Sequence, residues 1–592
     1  MPPSTVILTI LGYIAAVLLL SRLAARRGRG DFFALRSHRW WVVTFGMVSA
    51  CMSGVSFVSV PGIVASSGFG YLQMCIGFFL GYLVIAFVLA PLYFRLGTVS
   101  IYGWLEGRFG LMARRCGGWL FFGAQLLRAS MRLYLLCITQ QLMVFDPLGL
   151  PFWLNVLLTV GALLGYTWGG GVRSVVASDM LRTVCMVAAI ALSVVFIARA
   201  LPGSLTDTVR GSGMTRVFFF DDGDSPNYFW KQLLGGFFIV IAMTGMDQEM
   251  MQRTLTCRSL SGAKRQLVLS SALQILVIAG FLLLGVLLYA YAAGASSLTG
   301  SSPTGDALFP TVATGGGLPL LVGVLFVLGL AAASYGAGGS ALTALTTAFT
   351  VDILGARSAP KGTPCSGTPL SPGPSAPSLA PAPPSVSCVP AAQELVSAGP
   401  LPLPLSGGGQ ARCMEHPSSA PQLRIIHLAM AGAMAALVLV FRALWDRSVL
   451  DAIYTVAGYT YGPLLGLFAF GILTRRRLPG GQSMKKPDFM DSPAKTLEQS
   501  MKKPNYMDSP AETFEQSTEK PDSMDSLGAG YRTSRPAWII PAALLAPPVI
   551  CWLLSRYSAA LFGGYQFGYE LLPLNGALTF LLLLAISRKK AE

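Results

Sequence analysis

Runs of about 20 mostly apolar residues recur along this chain, and that is the length an α-helix needs to cross a bilayer. Hydropathy marks about thirteen of them: near 5–22, 41–63, 70–94, 118–143, 151–169, 175–200, 230–250, 267–293, 317–350, 425–443, 449–473, 536–556 and 571–587. In hydrocarbon every backbone N–H and C=O must find its partner within the protein, so segments of this kind fold as helices. Of the 592 residues 53% are hydrophobic and 12% charged, against about 25% charged in a soluble domain. The expected fold class is therefore an all-α polytopic membrane protein with about thirteen transmembrane helices. The first run is too long for a cleaved signal peptide and lacks a small-residue cleavage site.

Charge placement supplies an orientation. Arg22, Arg26, Arg27, Arg29, Arg36 and Arg39 lie between the first two runs; Arg108, Arg114 and Arg115 follow the third. Arg253, Arg258, Lys264 and Arg265 follow the seventh, Arg475 to Arg477 the eleventh, and Arg588 to Lys590 the last. The alternate loops are poor in positive charge, and 201–229 carries Asp221, Asp222 and Asp224. The positive-inside rule then puts the N-terminus outside and the C-terminus inside. The net charge of +16 is a topology signal first, and no nucleic-acid partner is expected. Ten scattered cysteines and three separated histidines, His38, His416 and His427, give no metal-ligand spacing.

Two segments interrupt the pattern. Residues 358–422 hold 15 of the 38 prolines and read as a disordered cytoplasmic loop. Residues 482–526 repeat with a period of 17, QSMKKPDFMDSPAKTLE from Gln482 and QSMKKPNYMDSPAETFE from Gln499, with a degraded third copy from Gln516. No copy has a hydrophobic face, so a solenoid is not expected. The chain divides into helices 1–9 (1–357), the Pro-rich loop (358–422), helices 10–11 (423–477), the repeat loop (478–535), and helices 12–13 with a basic tail (536–592).

Polar residues inside the apolar runs carry the functional signal. MVSACMSGVSFVSVPG, Met47 to Gly62, places Ser53, Gly54, Ser56 and Pro61 in mid-membrane. Close helix packing and a broken helix lining a site both use such residues. Asp179, in GGGVRSVVASDMLRT, is an intramembrane carboxylate or a helix cap. Ser340, Thr343, Thr346 and Thr347 share one helical face, which suits an aqueous path or hydroxyls bonded back to their own helix. GMDQEMMQRTL, Gly245 to Leu255, ends an apolar run on a dense polar cluster.

GMDQEMMQRTL, GGGVRSVVASD, SGVSFVSVPG and AGYTYGPLLGLFAFGIL occur in an order that resembles the sodium:solute symporter family of sodium-coupled sugar, proline, iodide, choline and monocarboxylate carriers. The resemblance covers most of the chain outside the two inserts. It implies a five-plus-five inverted-repeat core in helices 2–11, with helices 2 and 7 interrupted. It implies a plasma-membrane multi-pass carrier, working as a monomer in the lipid bilayer and moving a small organic solute with Na+ by alternating access.

The resemblance also assigns sites. Substrate contacts map onto Ser53, Gly54, Val55, Ser56, Phe57, Met243 and Tyr459, and an inner gate onto Asp247, Gln248, Gln252 and Arg253. Val55 stands where sugar carriers have an acidic residue, which argues against a hexose. The principal sodium site maps onto carbonyls of Ser49, Met52 and Ala333, with Gly336 and Ala337 in place of two expected serines. Asp179 and Ser340 map onto a second sodium site. Alternatives that stay open are a proton-coupled carrier using Asp179 and H+, and a non-transporting solute sensor. No nucleophile–base pair within the membrane points to an enzyme.

Overall fold

The computed structural model describes residues 2–26, 39–96, 101–169, 173–299, 304–314, 318–354, 420–444, 449–478, 538–563, 565 and 567–587. The Pro-rich and repeat loops expected at 358–422 and 482–526 lie outside the described residues. The described residues form helices and contain no β-strand. Helix α1 spans Pro3–Arg26; α2 (Trp40–Cys51) and α3 (Gly54–Gly62) are followed by a single turn, α4 (Val64–Ser67). Next come α5 (Tyr71–Val84), α6 (Ala90–Leu96), α7 (Tyr102–Phe109), α8 (Leu111–Gln140), α9 (Phe152–Gly169), α10 (Arg173–Ala200) and the short α11 (Leu205–Gly211). They are followed by α12 (Phe229–Val240), α13 (Gln248–Leu255), α14 (Leu260–Thr299), α15 (Leu308–Thr314) and α16 (Leu320–Ala348). The last five are α17 (Ala420–Leu444), α18 (Val449–Thr460), α19 (Gly462–Leu473), α20 (Ile539–Leu561) and α21 (Leu571–Ile586).

Seven helical spans are long and apolar enough to cross a membrane on their own. Three bent pairs reach that length together: α2 with α3 at 58°, α12 with α13 at 69°, and α18 with α19 at 46°. Three shorter apolar helices lie at Pro3–Leu19, Phe152–Gly165 and Leu571–Ile586. The outer faces carry large apolar side chains such as Leu8, Leu276, Leu444 and Leu473, the last 74% exposed, which suits lipid rather than water.

Each bend has a local cause. Helix α2 stops because Met52 and Ser53 take extended backbone, with ψ of 112° and 175°. Helix α12 loosens into a π-helical turn, Ile241–Gly245, before Asp247 turns extended and caps α13, accepting from the Met250 amide at 3.2 Å. Helix α18 ends at Tyr461, where Gly462 and Pro463 restart the chain as α19.

A break frees carbonyls, and dedicated side chains take them up. At the second break Tyr93 Oη donates to the Gly245 carbonyl at 3.0 Å and Tyr102 Oη to that of Met246 at 2.9 Å. At the third, Asn575 Nδ2 donates to the carbonyls of Gly458 and Tyr459, both at 3.0 Å.

Small residues let the backbones close on one another. A Cβ on Gly77 of α5 would fall 2.2 Å from the Leu233 carbonyl oxygen of α12, and one on Gly236 would fall 2.3 Å from that of Met74. Helix α3 meets α14 the same way, where a Cβ on Gly285 would lie 2.5 Å from the Pro61 carbonyl oxygen. The interrupted pairs are thus held in the middle of the bundle, with α13 packed against α2.

Candidate functional site

Asp247 is the centre of the polar cluster that opens α13. Its carboxylate is fully buried and paired with Arg128 of α8, itself 4% exposed. Tyr461, at the third break, donates to the same Oδ2 at 3.2 Å. The Arg128 guanidinium lies over the Tyr461 ring at 5.5 Å and also donates to Gln125 Oε1. Gln125 in turn donates to Glu249 Oε2 at 3.2 Å, and Arg253 pairs with Glu249 at 3.3 Å. Gln248 Oε1 accepts from the Ile101 amide at 2.8 Å, pinning the start of α7. Of the four residues expected at an inner gate, Asp247, Gln248 and Arg253 thus enter one network; Gln252 is half-buried beside it.

The residues expected at the solute site spread over two breaks and a core. Ser53 and Val55 are buried at the first break, and Ser56 is half-buried. Gly54 lies against α16, where a Cβ would meet Ser334 Oγ. The Phe57 ring sits in an aromatic cluster, with Phe281 at 5.6 Å, Phe309 at 5.4 Å and Phe326 at 5.7 Å. Met243 lies half-buried in the π-helical turn of the second break, and Tyr459 half-buried at the third.

Between these breaks stands Arg132, one turn after Arg128 on α8. It is within electrostatic reach of Cys51, Tyr454, Asp247, Glu249 and Tyr461. Its Nε is buried without a hydrogen-bond partner among the described residues. Arg128 has Asp247 and Arg253 has Glu249, so the cluster keeps one positive charge in excess at Arg132.

The residues expected at the principal sodium site lie at the end of α2 and along α16. Ser49 and Met52 close α2, and Ala333, Gly336 and Ala337 lie on α16. Ser49, Met52, Ala333 and Ala337 are buried. Between α2 and α16 the structure inserts Arg182 of α10, 1% exposed, whose Nε donates to Ser49 Oγ at 2.5 Å. Its guanidinium covers Gly336 so closely that a Cβ there would lie 2.8 Å from Nη1. Asp179 lies one turn before Arg182 on α10; its side chain is outside the described residues. Ser340 Oγ donates back to the Ala337 carbonyl at 3.1 Å.

The hydroxyl face of α16 is used by its own helix. Thr343 donates to the Gly339 carbonyl at 2.9 Å and Thr346 to that of Leu342 at 2.8 Å; the Thr347 side chain is outside the described residues. Thr346 Oγ1 also meets His427 Nδ1 at 2.9 Å, and Thr167 Oγ1 meets its Nε2 at 2.9 Å, so α17 is pinned between α9 and α16. Sequence reasoning passed over Arg128, Arg132 and Arg182, and weighed His427 only as a metal ligand. The signal was available, since an ionisable residue inside an apolar run is a site candidate by itself.

Comparison with known proteins agrees with this architecture. The chain matches the sodium:solute symporter family over residues 32–356. It is 25% identical to the human sodium/iodide cotransporter over 42% of this chain and 39% of that protein. It is 27% identical to the human sodium-coupled monocarboxylate transporter 1 over 38% of this chain and 37% of that one. The match thus spans about two fifths of each of these relatives. Its fold is similar to a solved substrate-bound, outward-open Na+-coupled sialic acid symporter, with a TM-score of 0.64 at 15% identity, covering 98% of this chain and 97% of that one.

Proposed function

The chain belongs to the sodium:solute symporter family, the family match covering more than half its length, and from that premise we propose a sodium-coupled carrier of a small organic anion. It works by alternating access in the plasma membrane, as a monomer. Seven full spans, three bent pairs and three short apolar helices together support thirteen crossings. With the first and second bent pairs opening two five-helix halves, the core is an inverted repeat of helices 2–11, N-terminus outside and C-terminus inside.

One observation carries the anion: Arg132, in charge excess, with a buried Nε that nothing in the described protein satisfies. The Arg132 side chain is half-buried, so its guanidinium is partly withdrawn from water and gains from a partner, and a carboxylate matches its planar fork. Two of the relatives it resembles are named for anions, iodide and monocarboxylates. The remaining solute contacts come from Ser53, Gly54, Val55, Ser56, Met243 and Tyr459. The Asp247 network closes the path on the cytoplasmic side and must part for release. Sodium binds at Asp179 and Ser340, oxygen donors suited to a hard cation.

Uptake into proteoliposomes tests this, with lactate, iodide and sialate set against glucose and inositol, in sodium or choline chloride. The expected result is sodium-dependent accumulation of an anion, lost in Arg132→Gln. Uptake of neutral sugars alone, or anion uptake unchanged in Arg132→Gln, overturns the solute class.

A further inference from the structure

We infer that Arg182 is a built-in cation occupying the principal sodium position, so that this position binds no mobile ion. The inference rests on the symport reading for its frame, and on three correlated features of this chain for its substance.

The first is the electrostatics of the place. Ser49 lies in the last turn of α2, which stops at Met52. A helix C-terminus carries partial negative charge and freed carbonyls, which is what would draw a sodium ion. The second is the group that the structure puts there. Arg182 is 1% exposed, and its Nε donates to Ser49 Oγ at 2.5 Å, which puts a guanidinium at that helix end. The third is the opposite wall. Gly336 and Ala337 offer no side-chain oxygen, and a Cβ at 336 would lie 2.8 Å from Arg182 Nη1 and 3.3 Å from Cζ. The bare position on α16 and the cation on α10 therefore fit one another: the guanidinium fills the room that a side chain at 336 would take.

A mobile cation entering there would have to displace the guanidinium that already fills the space between Ser49 and Gly336. The fixed cation can still do the structural part of an ion's work, holding the end of α2 against α16. It never crosses the membrane, so it adds nothing to the charge carried per solute.

The test counts sodium on the purified full chain, by equilibrium binding of radioactive sodium and by melting in sodium against choline chloride at equal ionic strength. The triple variant Arg182→Ala, Gly336→Ser, Ala337→Ser should bind about one more ion per chain than the wild type and gain sodium-dependent stabilisation. A monodisperse triple variant with the wild-type sodium count overturns the inference. Should the triple variant fail to fold, two single changes decide. Arg182→Gln removes the charge and keeps a donor for Ser49, so it should gain sodium stabilisation, whereas Arg182→Lys should not. Equal sodium responses in the two overturn the inference. A wild type that binds no sodium removes the sodium-symport reading, while the increment in the variants still judges Arg182.

Discussion

Tyr461 donates to Asp247 across 3.2 Å, joining the residue that breaks one bent helix to the residue that breaks another. Arg128 completes the junction by pairing with the same carboxylate and lying over the tyrosine ring at 5.5 Å. Two interrupted spans and α8 are therefore locked by a single buried anion. On the alternating-access reading proposed for this chain, such a lock opens and is remade in every cycle, so its strength should be measurable both in stability and in turnover.

Removing the carboxylate strands Arg128. Breaking a buried pair from one side costs about 3–5 kcal/mol, and Asp247→Leu also removes the cap on α13. Melting of the purified protein should fall markedly in Asp247→Leu. It should recover much of the loss in the double variant Arg128→Met, Asp247→Leu, in which neither member of this pair is left without the other. A double variant whose loss equals the sum of the two single losses would mean that the groups are not coupled.

What was legible in the sequence follows from where the physics is local. The interruptions could be seen because Ser53–Gly54, Gly245–Asp247 and Gly462–Pro463 stand inside apolar runs, and unwinding is decided by neighbouring residues. The family motifs and the missing serines at 336 and 337 were equally visible. Partners were not: Arg128 meets a residue 119 positions away and Arg182 one 133 away. Nothing in a single run says which arginine will face which break. The hydroxyl face of α16 could be placed by helical spacing, but spacing could not tell that Ser340, Thr343 and Thr346 donate back to their own turns. Phe57 shows the same gap, since only the packed structure turns its ring into the Phe281–Phe309–Phe326 cluster.

Glycine at the α5–α12 crossing is a requirement of distance. Gly77→Ala would put a methyl 2.2 Å from the Leu233 carbonyl oxygen and Gly236→Ala one 2.3 Å from that of Met74, so backbones must move apart. Either change should destabilise by about 1–3 kcal/mol, the usual range for overpacking. Gly161→Ala on α9, where a Cβ meets nothing within 4 Å, should be neutral or stabilise by up to about 1 kcal/mol. Thermal melting of the three variants checks the contrast; a Gly77→Ala protein as stable as Gly161→Ala would refute the close crossing.

Excising residues 482–526 should leave melting temperature and uptake within error of the wild type. The repeat copies are rich in Lys, Pro and Asp with no apolar face, so they have nothing to bury against the membrane core. In sealed vesicles this segment should be cut by protease from the cytoplasmic side alone. Cleavage only from the outside would reverse the proposed orientation.

Asp179 should decide the ion dependence. With Arg182 filling the place between Ser49 and Gly336, a mobile sodium has to be held elsewhere, and a full negative charge attracts it more than carbonyl dipoles do. Ser340 gives its proton to the Ala337 carbonyl, which leaves the lone pairs of its oxygen available to a cation. Asp179→Asn keeps size and hydrogen bonding but loses the charge, so sodium-dependent stabilisation and sodium-stimulated uptake should both disappear. Ser340→Ala should weaken apparent sodium affinity by about tenfold, the equivalent of about 1.4 kcal/mol for one lost oxygen ligand. A carboxylate serving only as counter-charge to the buried Arg182 predicts a different pattern: Asp179→Asn would lower stability by the same amount in sodium and in choline. That pattern, with sodium dependence of uptake kept, would move the ion site away from Asp179.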